Sequence, residues 1–121
     1  IRGDEVDYQN RARKFGATIA TVVDSIYFHP AAEKVPIKWR GRLVNIEVCS
    51  PWKSYYLMRN YIYRIKRDEG LLKAIKEAIF QRYCTLHASV DGKKNLPLMR
   101  KGFIDGMMGK LGKRVNPGQT K

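Results

Sequence analysis

The hydrophobic pattern of the chain changes period near residue 50, and the fold is expected to change with it. Upstream, short segments alternate or run β-branched; downstream, apolar residues recur at helical spacing. The first predicted element is a short helix that opens on Asp4, Glu5 and Asp7 and carries Tyr8, Ala12 and Phe15 on one face. Gly16 stops it, because the residue just past a helix often needs a positive φ. Ala17 to Val23 (ATIATVV) is a β-branched run and predicts a buried strand. Pro30 to Gly41 reads as a loop from its two prolines, with Trp39 as a single anchoring aromatic in solvated surroundings. Leu43 to Val48 alternates, with Val44, Ile46 and Val48 on one side and Asn45 and Glu47 on the other. It predicts a half-buried strand.

From Ser50-Pro51, a standard helix start, a long helix is expected to run to about Asp68, with Gly70 at its end. A second helix over Leu71 to Cys84 carries Leu72, Ile75, Ile79 and Tyr83 along one face. A third covers Leu98 to about Leu111, with Ile104, Met107, Met108 and Leu111 as its apolar face. Gly102, Gly106 and Gly109 each lower the stability of that helix by roughly 1 kcal/mol against alanine. Close approach of another helix would explain them; a phosphate loop would need a preceding strand, and none is predicted there. The polar tail from Gly112 to Lys121 frays. The expectation is one domain: an α/β start over residues 1–50, then a mainly helical region over 51–121.

Charge adds a partner to this picture. The chain has 24 Lys and Arg against 11 Asp and Glu, a net +13, which favours contact with phosphates. After Asp91 the one acid is Asp105, while Lys and Arg recur to the end. Cys49 and Cys84 form neither a disulfide framework nor a metal spacing, which fits a reducing compartment. No apolar run approaches the roughly 20 residues of a membrane span. The long helix mixes Trp52, Tyr55, Tyr56, Tyr61 and Tyr63 with Lys53, Arg59, Arg64, Lys66 and Arg67. Two readings fit that mixture: a core helix whose tyrosines pack inward, or a helix at a water–lipid boundary. The acids at the chain start also have two readings. Asp4-x-x-Asp7 is a capping pattern that suits the helix dipole, and three carboxylates in four positions are also a candidate acid–base cluster.

The string Ile1-Arg2-Gly3-Asp4-Glu5-Val6-Asp7-Tyr8, followed by Arg11 or Arg13, Gly16, a β-branched run and His29, resembles family 2 glycosyltransferases of GT-A fold. It is most similar to the bacterial rhamnosyltransferase and galactofuranosyltransferase branch. Tyr55-Tyr56-Leu57-Met58-Arg59-Asn60 is similar to the Tyr-Tyr-x-x-Arg-Asn signature of that branch, and Gly102 to Gly112 to its glycine-rich C-terminal segment. The resemblance implies that residues 1–50 are the acceptor and metal side of a GT-A catalytic domain and 51–121 its helical C-terminal region. The nucleotide-sugar half of the family, with its Asp-x-Asp, has no counterpart here. The chain is therefore expected to be the C-terminal part of a longer enzyme and inactive alone.

The implied reaction is inverting, metal-dependent transfer of a sugar from a UDP- or dTDP-sugar to a glycan or lipid-linked glycan, in cell-envelope polysaccharide synthesis. Such transfer needs a base for the attacking hydroxyl and positive charge on the departing diphosphate. By resemblance, Glu5 stands where the family places its base, and Asp4 and Asp7 where it places acceptor-orienting acids. Arg2 belongs to the same substrate-binding string, and His29 stands where the family places a ligand to Mn²⁺ or Mg²⁺. Many members carry Asp at the Glu5 position, so the base role stays open between Glu5 and Asp4. The same resemblance places the enzyme in the cytoplasm, peripheral to the anionic inner face of the cell membrane, through the basic end of the long helix and the basic C-terminal segment. The alternative is a non-catalytic nucleic-acid-binding module that sets its cations on phosphates and its tyrosines on bases. It matches no nucleic-acid motif and leaves Asp4, Glu5 and Asp7 without a purpose, so no nucleic-acid partner is expected.

Overall fold

The computed structural model describes residues 4–24, 26, 28, 33–88 and 92–117. The chain is a small, mainly helical α/β domain with the order α1 (Asp4–Lys14), β1 (Lys34–Trp39), β2 (Arg42–Glu47), α2 (Pro51–Glu69), α3 (Leu71–Ala88) and α4 (Gly92–Met107). The change of period near Ser50 is the boundary between hairpin and helices, and Tyr55 to Arg67 lies wholly within α2.

The helix α1 ends where Gly16 predicts. Gly16 has φ +83°, its N–H donates to the Arg13 carbonyl, and the Ala17 N–H reaches back to the Ala12 carbonyl, both at 3.0 Å. That pair of bonds is a Schellman closure. The expected apolar face of α1 is not buried, however: Tyr8 is exposed, and Phe15 lies past the helix at 91% exposure. Charge moors α1 instead. Asp7 meets Arg67 at 2.6 Å and Arg11 at 3.0 Å, and Lys14 meets Asp68 at 3.5 Å. The hydrogen bond from Arg67, in a partly exposed pair, holds the Asp68 carboxyl down at about 2. Partly exposed pairs of this kind contribute about 0–1 kcal/mol each, so α1 is held lightly.

The strand expected over Ala17 to Val23 does not form, and Val23 is 90% exposed. A strand must pair its backbone with a neighbour, and among the described residues the one sheet is β1 with β2. That sheet corrects a second expectation, since half of the anticipated loop is β1; residues 30–32 lie outside the described residues. Pro36 is tolerated because of register. Trp39 pairs with Arg42 across the two-residue turn at Arg40 and Gly41, which places Pro36 opposite Asn45 at a non-hydrogen-bonded pair. Both turn residues have positive φ, 48° and 83°, the geometry of a type I′ hairpin turn. In β2, Val44 and Ile46 face inward as the alternation predicts, onto Ile37, Cys84 and Ala88. Trp39 is part of a cluster, with ring centroids 5.3 Å from Phe80 and 4.5 Å from Tyr83.

The helix α2 is the axis of the helical half and packs against both α3 and α4. Met58, Ile62 and Ile65 on α2 meet Ala74 on α3 and Met99 on α4. The buried side of α3 is the one with small residues, Ala74, Cys84 and Ala88, where helices can approach closely. Most of its expected apolar face points outward, with Leu72, Ile75 and Ile79 all exposed, while Tyr83 packs on the hairpin cluster. The helix α4 starts six residues earlier than expected and ends at Met107 rather than near Leu111, with Pro97 inside it. Of its expected apolar face, Met107 packs against the core but Ile104, Met108 and Leu111 are exposed, while Met99, Gly102, Asp105 and Gly106 are buried.

Candidate functional site

Of the residues singled out at the chain start, Asp4 opens α1 and Glu5 occupies its exposed first turn. Glu5 makes no ion pair with a described residue, whereas Asp7 is held by Arg67 and Arg11. Arg2 and His29 lie outside the described residues. Among the described residues no three His, Cys, Asp or Glu side chains stand together as a metal site. His29, the metal ligand that the resemblance implies, is not among the residues this search covers.

Among the described residues the best-built polar site lies elsewhere, between α2, α4 and the segment after α4. Tyr55 is fully buried, and its hydroxyl donates to Asp105 Oδ2 at 2.7 Å. Tyr56, one position on, accepts at its hydroxyl from the Arg114 and Val115 N–H groups and donates to the Val115 carbonyl at 2.9 Å. Arg59 lies one turn further along the same helix face. Its guanidinium sits 5.6 Å from the Tyr55 ring centroid and 4.8 Å from that of Tyr56. It donates to Asn60 Oδ1 from two nitrogens, at 3.0 and 2.8 Å, and to the Gly112 carbonyl from a third. Each residue of the Tyr-Tyr-x-x-Arg-Asn string is thus used, and the inward-packing reading of its tyrosines holds.

This site exists because the two helices touch at backbone distance. A Cβ on Gly102 would lie 2.5 Å from the Tyr55 carbonyl oxygen, and one on Gly106 would lie 2.6 Å from that of Arg59. The glycines four apart on α4 match the two residues four apart on α2, so the lines of contact run in register. Gly109 acts differently: it has φ +68° and ends the helix. The partner that sequence reasoning missed is Asp105. Its signal was present, as the one acid in a basic stretch, but the pattern does not reveal which hydroxyl it would face.

Burial first, and then the hydrogen bond to the Asp105 carboxylate, push the Tyr55 phenol up to about 12, with Arg59 opposing. The native state therefore stabilises the neutral phenol. Its contribution is complete below the unfolded value of 10.0 and is lost as pH rises through about 12. Alkaline unfolding followed by circular dichroism is expected to begin above pH 10, with Tyr55 ionising only as the fold opens. Tyr55→Phe strands a buried carboxylate without its donor and is expected to cost about 1–3 kcal/mol in a denaturant melt. Burial likewise raises the Cys84 thiol to about 11, which removes it from thiolate chemistry near neutral pH.

The acids of α1 and the Tyr55 site are separate places. Asp7 touches α2 at Arg67, eight residues beyond Arg59, or roughly 12 Å along the helix axis. No protein-family model, curated protein or solved structure matches the chain. No helix among the described residues is long and apolar enough to cross a membrane.

Proposed function

We propose that the chain is the C-terminal part of an inverting, metal-dependent family 2-like glycosyltransferase of GT-A fold. On this reading it supplies the acceptor side of the active site and a helical C-terminal region. The observation that carries the reading is that two motifs similar to separate signatures of one branch form one contact. Tyr55 and Arg59 of the first seat Gly102, Asp105 and Gly106 of the second. A second observation supports it: Phe15, Val22, Val23, Ile26 and Phe28 are all exposed, a β-prone apolar run with no neighbour to cover it among the described residues. In the proposed enzyme that run lies against the nucleotide-sugar half.

The chemistry of this chain is then acid–base and positional. The Glu5 carboxylate takes the proton from the acceptor hydroxyl as it attacks the anomeric carbon. Asp4, Asp7 and Arg2 orient the acceptor. His29 would be the one ligand this chain lends to a divalent ion, which would supply positive charge to the departing diphosphate. The donor is a UDP- or dTDP-sugar, the acceptor a glycan or lipid-linked glycan, and the enzyme sits peripherally on the cytoplasmic face of the membrane.

The deciding experiment uses the enzyme that carries this chain, incubated with UDP- and dTDP-sugars, a glycan acceptor and Mn²⁺ or Mg²⁺. Sugar transfer with inversion at the anomeric carbon is expected. Failure to bind or turn over any nucleotide sugar removes the reading.

A further inference from the structure

The outward side of α3 is an apolar strip of Leu72, Ile75 and Ile79, the last 59% exposed. An open groove of about 700 Å³ runs along one flank, between α3 and α4, and reaches the buried Met58. Arg82 from α3 and Arg100 from α4 line it. On the other flank, towards the hairpin, a second depression is lined by Arg40, Arg42 and Lys76. Ile79 borders both, so the two depressions form one continuous face. None of these five cations makes an ion pair among the described residues. Among the described residues the one carboxylate lining either depression, Glu77, is engaged by Lys73 at 3.7 Å and by the Tyr61 hydroxyl at 3.1 Å.

We infer that this α3 face docks on an anionic phospholipid bilayer, with Ile75 and Ile79 at the boundary of headgroups and acyl chains and the flanking arginines on lipid phosphates. The charge pattern selects the occupant. An apolar strip between two cationic flanks is the surface of an interfacial helix, and long basic side chains reach headgroups while their stems cover apolar surface. Nucleic acid fits less well, because the nearby ring of Trp39 is already packed on Phe80 and Tyr83 and the exposed centre is aliphatic. The face also differs from the surface suggested by the pattern of α2, whose Tyr55 and Tyr56 are buried and whose Arg67 is engaged by Asp7 and Asp68. The inference rests on the peripheral-membrane part of the proposed function and is independent of its transfer chemistry.

The test is co-sedimentation of the 121-residue chain with vesicles of phosphatidylcholine alone or with added phosphatidylglycerol. Binding is expected only to the anionic vesicles and weakens as salt rises. Each cation near the surface contributes about fivefold, so R82Q/R100Q is expected to bind about 25-fold more weakly. I75S/I79S is expected to abolish binding with an unchanged melting temperature, because both side chains are exposed. K110Q/K113Q, on the segment after α4, is the control and keeps most of the binding. If K110Q/K113Q weakens binding while I75S/I79S and R82Q/R100Q do not, the membrane reading survives and the α3 face is overturned. Absence of binding to either vesicle overturns both. Binding to random-sequence RNA that I75S/I79S leaves intact, or a dimer that I75S/I79S dissolves in a chain that binds no vesicle, also overturns the inference in favour of that occupant.

Discussion

Alanine at both Gly102 and Gly106 is expected to separate α4 from α2 and leave the chain without a cooperative unfolding transition. Helix propensity alone predicts the opposite, since each Gly→Ala change in a helix interior gains roughly 1 kcal/mol. Sterics decides the sign. The added methyl groups would lie 2.5 and 2.6 Å from the Tyr55 and Arg59 carbonyl oxygens, and those are backbone atoms that cannot rotate away. Overpacking of this kind costs about 1–3 kcal/mol per site, and here both sites lie on one contact line, so the helices must move apart. Moving them apart also breaks the hydrogen bond from Tyr55 to the Asp105 carboxylate, a charge-assisted contact that contributes about 1.5–3 kcal/mol. A denaturant melt of G102A, G106A and the double variant measures this. A double variant as stable as the parent would mean that the close approach is not what holds α2 and α4 together. Gly112→Ala is the comparison: φ there is +85° but nothing lies within 4 Å, so it carries backbone strain without a packing clash.

Features readable from the sequence were those fixed by local chemistry. Ser50-Pro51 and Gly70 bracket α2 because a proline at the helix start and a glycine past its end act within one turn. Gly16 is the same case. What the sequence did not show depends on partners distant in the chain. The alternation that marks Leu43 to Val48 says nothing of β1, whose Pro36 looks like a strand breaker until the register puts it at a non-hydrogen-bonded pair. A helical wheel shows that α3 has a large-residue side and a small-residue side. It does not show that the small side is the one that packs, with Ala74 against α2 and Cys84 and Ala88 against the hairpin. The run from Ala17 to Val23 has the composition of a strand, but composition supplies no neighbouring strand. In the buried polar site, Tyr55, Tyr56, Arg59 and Asn60 stood out in sequence as a string. Their partners Asp105, Gly112 and Val115 lie 50, 53 and 59 residues on and are identifiable only once α4 and the segment after it pack on α2.

In the proposed transferase, Glu5→Gln is expected to lower kcat by about 10²–10⁴-fold while donor binding is largely unchanged. The amide keeps the shape of the carboxylate and loses the ability to accept a proton, so the loss falls on the transition state. The position of Glu5 makes this a clean experiment. The side chain is exposed on the first turn of α1, so its replacement leaves the core packing alone and acts on stability only through the helix dipole, by about 0.3–1 kcal/mol. Asp7→Asn, by contrast, removes partners from Arg67 and Arg11 and mixes a stability loss of about 0–1 kcal/mol into any change of rate. Asp4→Asn separates the neighbouring acids: an acceptor-orienting group shows itself chiefly in the acceptor KM. His29→Ala is read in a metal titration, where more Mn²⁺ is expected to restore part of the activity, because the donor diphosphate and the other half still hold the ion. An inactive Asp4→Asn beside an active Glu5→Gln exchanges the two roles. Full activity in both returns the acids to a purely electrostatic task, in which Asp4 and Glu5 stabilise the first turn of α1 through its dipole and Asp7 fastens that helix to Arg67.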